Sequence, residues 1–155
     1  MANSFDAESL NAQLGLPPGA WVVPFADYHV IIAGEPRELA AQAQLGPAFT
    51  LINAGKVAAL WGLAVPWPGM AEAWMVTTPA VRPIAAEFTY AARRFCAIAA
   101  QSLKLRRIQI HVQTTNLQAI AWARAARFKP EAVLEAYTRN GEDVYVMKRI
   151  FKETP

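Results

Sequence analysis

RIQIHVQTTNLQAIAWARAARF, residues 107–128, carries two periodicities and the junction between them. From Arg107 to Val112 polar and apolar side chains alternate, which is the period of a half-buried strand. Leu117, Ile120, Ala121 and Trp122 then fall at helical spacing, and Asn116 just before them has the short acceptor that caps a helix N-terminus. A strand handing over to a helix through Asn116 is expected. Upstream, Ile84, Phe88, Ala91, Phe95, Ile98 and Ala99 recur at three- and four-residue steps while Glu87, Arg94 and Gln101 fall mainly elsewhere. This predicts a long helix with one face on a sheet, opened by Pro83 as its first helical residue.

Further upstream, two apolar runs, Phe49 to Asn53 and Val57 to Val65, flank Ala54-Gly55 and read as a hairpin. Pro66-Trp67-Pro68-Gly69 is expected to be a loop, followed by a third strand from Ala73 to Thr78 that ends at Pro79. Downstream, residues 133–149 read as a closing hairpin, with Asn140-Gly141 as a tight turn between Tyr137 and Tyr145. Nearer the start, Trp21 to Pro24 is a short strand candidate and Glu35 to Ala40 a helix start. The fold class is therefore α/β (α+β), with a mixed, mostly antiparallel sheet and a long helix after the third meander strand. The expected organisation is an N-terminal arm or short helix at 1–20, one domain at 21–150 and a tail at 151–155.

A chain of 155 residues suits one core. With 54% apolar and 17% charged residues it should fold, and its surface suits cover by an oligomer or larger assembly. No apolar run reaches eighteen residues, and the N-terminus lacks the order of a signal peptide, so no membrane span and a cytoplasmic location are expected. The net charge of +3 comes with arginines scattered at 93, 94, 106 and 107, which does not indicate nucleic-acid binding. His29 and His111 lie in no metal-ligand spacing, and no metal is expected. The single Cys96, in an apolar helical stretch, excludes an internal disulfide and reads as a buried structural thiol.

The strand, Asn116, Ala119, Ile120 and Phe128, twelve residues beyond the Asn, resemble the C-terminal half of the GNAT (Gcn5-related N-acetyltransferase) superfamily. The resemblance covers about residues 49–150. More loosely, residues 73–78 and 137–141 resemble acetyltransferase-like proteins of tailed bacteriophages, including internal virion proteins. The superfamily resemblance implies an acetyl-CoA or CoA site in which the strand before the long helix splays from its neighbour and the helix N-terminus takes the pyrophosphate, a role that free N–H groups and a positive dipole end suit. Here that site would comprise Val76, Thr77, Thr78, Arg82, Ile84, Ala85 and Ala86, with Asn116, which the resemblance also makes a candidate catalytic residue. The family's glycine frame falls on residues 80–85, where Pro83 stands in place of glycine and lacks an N–H, while Arg82 could contact a phosphate or simply face water. The usual general-acid tyrosine, seven residues after the Asn, is Ala123. Tyr90 or Tyr137 could replace it or serve only in packing. Glu72, at the start of the third strand, is the implied base for the acceptor amine, or else a charge that protects an edge strand.

Two functions follow. One is a GNAT-like N-acetyltransferase moving an acetyl group from acetyl-CoA to a small amine or a protein amino group. The other is a catalytically silent GNAT-fold phage protein, in host cytoplasm or virion, that binds phage structural proteins.

Overall fold

The computed structural model describes residues 5–152, so the first residues of the expected arm and 153–155 of the expected tail lie outside it. The described elements run α1 (Ala7–Gln13), β1 (Ala20–Pro24), α2 (Asp27–Ile32), α3 (Leu39–Ala43), β2 (Ala48–Asn53), β3 (Lys56–Trp67), β4 (Met70–Thr77), a 3-10 turn (Pro79–Ile84), α4 (Ala85–Ser102), β5 (Arg107–Gln113), α5 (Leu117–Ala125), β6 (Lys129–Leu134) and β7 (Val144–Ile150). The strands form one sheet in the order β1-β2-β3-β4-β5-β7-β6. Only β4 and β5 run parallel, because α4 returns the chain between them.

Alternation along the strands divides the core into two layers. Ala71 of β4 and Ile108 and Val112 of β5 pack with α1, α4 and α5 on one face, joined by Phe5, Phe49, Trp61 and Phe95, whose rings meet at 5.5–5.8 Å. Leu60 and Trp74 point the other way and are covered by Val30 of α2 and Ala43 of α3. The expected helical stripe is the buried one: Phe88, Ala91, Phe95 and Ala99 of α4 all lie inward. Leu10 and Leu14 at the end of the N-terminal segment are also inside this core. Ala54 and Gly55, with φ of 51° and 77°, supply the twist that a two-residue hairpin needs.

Four local expectations change. Residues 66–69 are not a loop: β3 continues to Trp67, which pairs with Met70, and only Pro68-Gly69 turn, with Gly69 at φ 92°. Pro83 does not open the long helix. Thr78 caps a 3-10 turn by accepting from the Ala80 N–H, Pro79 takes the proline-tolerant first position, and α4 starts beyond Pro83 at Ala85. The closing hairpin does turn tightly at Asn140-Gly141, the Gly141 N–H donating to Thr138 O at 2.8 Å with Gly141 at φ 80°, but Asn140 takes no positive φ and the turn stands at the tip of a wider loop, since Leu134↔Val144 is the last ladder pair. Side chains brace that wider loop: Asp143 accepts from the Ala136 N–H, and the Thr138 hydroxyl accepts from the Glu142 N–H. Finally, the helix expected from Glu35 begins only at Leu39, and α2 forms where no helix was expected.

Candidate active site

The parallel strands separate almost as soon as they meet. β4 and β5 pair at Met70↔Arg107, Ala71↔Ile108 and Glu72↔Gln109, while the other edge of β4 stays bonded to β3 up to Thr77. From residue 73 to 77, β4 therefore presents backbone N–H and C=O groups toward β5 without ladder partners. Unpaired strand edges inside a sheet are costly, and a ligand with amide groups laid along β4 would satisfy them. The gap opens into a cavity of about 440 Å³ that reaches both sheet faces, touching Gln42 on α3 and Phe88 on α4.

At the base of the split, Glu72 Oε1 lies 2.7 Å from His111 Nδ1. Glu72 shares the face of Trp74, and His111, between core residues Ile110 and Val112, points to that same face. The Tyr137 ring, brought in by the wide loop, sits 5.1 Å from the imidazole. Both members of the pair line the cavity. Glu72 holds Nδ1, which leaves Nε2 as the nitrogen able to take a proton, and no described residue hydrogen-bonds it. Tyr90 is half exposed beside Arg94 on α4 and is not part of the cavity lining.

The expected pyrophosphate residues are spread over three settings. Val76 and Thr77 lie on the free stretch of β4. Thr78 is engaged by the protein itself, donating to Val57 O at 2.6 Å and capping Ala80. Arg82 is exposed in the 3-10 turn, whereas the Ile84 side chain is buried in the core, so only its backbone is available to a ligand. Ala85 and Ala86 are exposed at the start of α4, whose N-cap residue Ile84 offers no side-chain acceptor. The 3-10 turn runs directly into α4, and the Ala85 N–H donates to Arg82 O, so this helix start is not a free set of donors. Asn116 caps α5 as expected, its Oδ1 accepting from the Ala119 N–H at 3.1 Å. Ala123 is fully buried, and next to it Trp122 stacks on Phe88 at 6.0 Å, joining α5 to α4 beside the cavity.

Cys96 is no nucleophile. Burial pushes its thiol up to about 11, against a smaller opposing effect of Arg149. Arg149 donates to Arg93 O at 2.9 Å, and burial lowers its own pKa. Sequence reasoning found Glu72 but not its partner. The alternation of β5 did place His111 off the core face, yet nothing in the spacing put it opposite Glu72.

No protein-family model matches the chain, and no curated protein sequence does. Solved structures do. Ard1 from Thermoplasma volcanium is 17% identical over 87% of this chain and 99% of its own, with a TM-score of 0.71. The ribosomal-protein-S18-alanine N-acetyltransferase from Escherichia coli is 15% identical over 88% and 96%, with a TM-score of 0.69. The microcin C7 self-immunity acetyltransferase MccE, solved with acetyl-CoA and AMP, is 12% identical over 89% and 99%, also at 0.69. The chain has the GNAT acetyltransferase fold. Nothing in these comparisons supports the looser likeness to tailed-phage proteins.

Proposed function

We propose that the chain is an N-acyltransferase that moves an acetyl group from acetyl-CoA to an amine, with His111 as the base and Glu72 as its positioning partner. The observation behind this reading is the Glu72–His111 pair at the root of the split between β4 and β5. The free edge of β4 at residues 73–77 suits the amide groups of a pantetheine arm. The exposed guanidinium of Arg82, beside the start of α4, suits a diphosphate.

Acetyl-CoA supplies an activated acyl group as a thioester. His111 Nε2 takes one proton from the acceptor ammonium, and the carboxylate of Glu72 stabilises the imidazolium that forms. The freed amine forms the C–N bond as the C–S bond breaks, and the second amine proton ends on the departing sulfur. Ala123 supplies no acid for that sulfur. Tyr137, against His111, is the tyrosine whose hydroxyl best suits the role. The acceptor reaches the pair from the face that carries α2 and α3, and is a small amine or a protein amino group.

The test is thiol release from acetyl-CoA with a panel of polyamines and peptides bearing free α-amino groups, beside calorimetric titration with acetyl-CoA. Saturable binding and amine-dependent thiol release support the reading. Absence of binding at millimolar acetyl-CoA refutes it and turns the search to assembly partners.

A further inference from the structure

The two sides of His111 on the acceptor face carry opposite charge. α2 and α3 cover this face over Leu60 and Trp74. It continues over β5, β7 and β6, where Arg107, Gln109, His111 and Lys148 are half-buried and Gln113 and Lys129 exposed. The odd-numbered side chains of β5 lie here because Ile108 and Val112 face the other way, into the core. Beyond His111, Gln113 Nε2 donates to Glu142 Oε1 at 3.2 Å, so that side carries a carboxylate. On the side of Gln109 the balance is reversed. Gln109 stands opposite Lys148 of β7, and Lys148 opposite Lys129 of β6, and residues directly opposite share a face.

Three cations and one carboxylate make up this cluster. Arg107 donates from both terminal guanidinium nitrogens to Glu131, and Lys148 Nζ donates to Glu131 Oε2 at 2.7 Å. The hydrogen bonds from Arg107 and Lys148 hold the Glu131 carboxyl down to about 2, so it stays ionised at neutral pH. One carboxylate therefore offsets one of three positive charges. Lys129 has no ion-pair partner among the described residues. It also faces Lys148 directly, a placement of like charges that weakens a sheet. An anion laid between the two lysines removes that repulsion.

The spacing selects the kind of anion. Lys148 is the diagonal neighbour of His111, whose direct partner is Val146, so the two backbones are about 7–8 Å apart. An extended chain covers that distance in about two residues, and its first and third side chains share a face. An α-amino acid holds its carboxylate one carbon from the amine and does not span the gap. A polyamine spans it but brings positive charge to a positive cluster.

We propose that Lys148, Lys129 and Arg107 form an acceptor subsite for a carboxylate, so that the acceptor is the N-terminal amine of a peptide with an acidic third residue. This rests on the acyltransferase reading and narrows its acceptor. The ammonium enters at Glu72 and His111, the carboxylate lies between the two lysines, and the transfer step is unchanged.

The test is calorimetric titration of the full chain, with CoA present and absent, using the amidated peptides Ala-Ala-Asp-Ala-Ala, Ala-Ala-Asn-Ala-Ala and Ala-Ala-Lys-Ala-Ala. Thiol release from acetyl-CoA with the same peptides is the second readout. Exposed charge pairs are individually weak, so the cluster should favour the Asp peptide over the Asn peptide by about three- to tenfold, less as salt rises. Lys129→Glu, at an exposed position, should abolish this preference, and adding Lys148→Gln should turn it toward the Lys peptide. Arg124→Glu makes the same change of charge on α5, across the sheet, and should keep the preference. Equal affinities for the Asp and Asn peptides overturn the subsite, as does an equal loss of preference in Arg124→Glu and Lys129→Glu. Acetylation of the peptides in either case leaves the acyltransferase reading standing. Charge-dependent binding without thiol release keeps the subsite and overturns that reading, and a series that neither binds nor is acetylated overturns the subsite.

Discussion

Glu72→Gln removes the charge of the pair and little else. Glu72 Oε1 and His111 Nδ1 are 2.7 Å apart, with side chains 35% and 20% exposed. Two unit charges at that distance attract by about 1.5 kcal/mol at the dielectric of water and by about 6 kcal/mol at an effective dielectric of about 20. The partial exposure of both groups places the pair toward the lower figure, at about 2–3 kcal/mol of stabilisation for the imidazolium. Since that charge develops only as the amine is deprotonated, its loss raises the barrier and not the donor affinity. The expected fall in kcat is about 30- to 150-fold. Acetyl-CoA affinity should be unchanged, because Glu72 points to the face opposite α4 and α5. Thiol release at saturating acetyl-CoA and amine gives the rate, and calorimetry gives the affinity. A kcat within about threefold of wild type, with donor affinity intact, would refute the role assigned to the pair.

Three further outcomes follow from groups outside this pair. Cys96, with its thiol at about 11, is about 0.1% thiolate at pH 8, so alkylation of the native protein should be at least about a hundredfold slower than in urea. Labelling at the unfolded rate while circular dichroism stays native would contradict its burial. His29 reaches back to accept from the Ala26 N–H at 3.1 Å, with the Thr50 hydroxyl 2.8 Å from the same Nδ1, and burial lowers its pKa. A base whose folded pKa is lowered binds fewer protons than in the unfolded chain, so its stabilisation is complete above the unfolded value of about 6.5 and is lost as pH falls below it. Urea midpoints between pH 8 and pH 5 should fall further for wild type than for His29→Gln, and parallel curves would show that His29 does not contribute. Gly62 leaves no room for a side chain: a Cβ there would lie 2.8 Å from the indole of Trp74, which is itself buried. Gly62→Ala should cost about 1–3 kcal/mol in chemical denaturation, and an unchanged midpoint would mean that the indole shifts freely.

The elements that were legible are those whose signal is local. The stripe from Phe88 to Ala99, the alternation from Arg107 to Val112 and the cap at Asn116 each depend on spacings of four residues or fewer, and each forms as read. The places where reading failed are those where the chain had two locally acceptable choices. Pro79 and Pro83 both suit a first helical turn, and Thr78, two residues ahead of Ala80, decides between them by capping the earlier one. Asn140-Gly141 suits a tight turn and one forms there, but the ladder stops at Leu134↔Val144, and bonds around Asp143 and Thr138 hold the wider loop that carries it.

Sequence alone determined the order of elements from β2 onward and the inward face of α4, since side-chain period and capping chemistry are properties of neighbouring residues, while the candidacy of Glu72 came from the family resemblance. Tertiary structure alone decided that β4 and β5 separate after Glu72 and that His111 meets that carboxylate. Each joins residues far apart along the chain: Glu72 and His111 stand on strands linked by the whole of α4, and their meeting depends on the register in which the crossover returns. No local spacing encodes that register, which is set by how helix and sheet pack together.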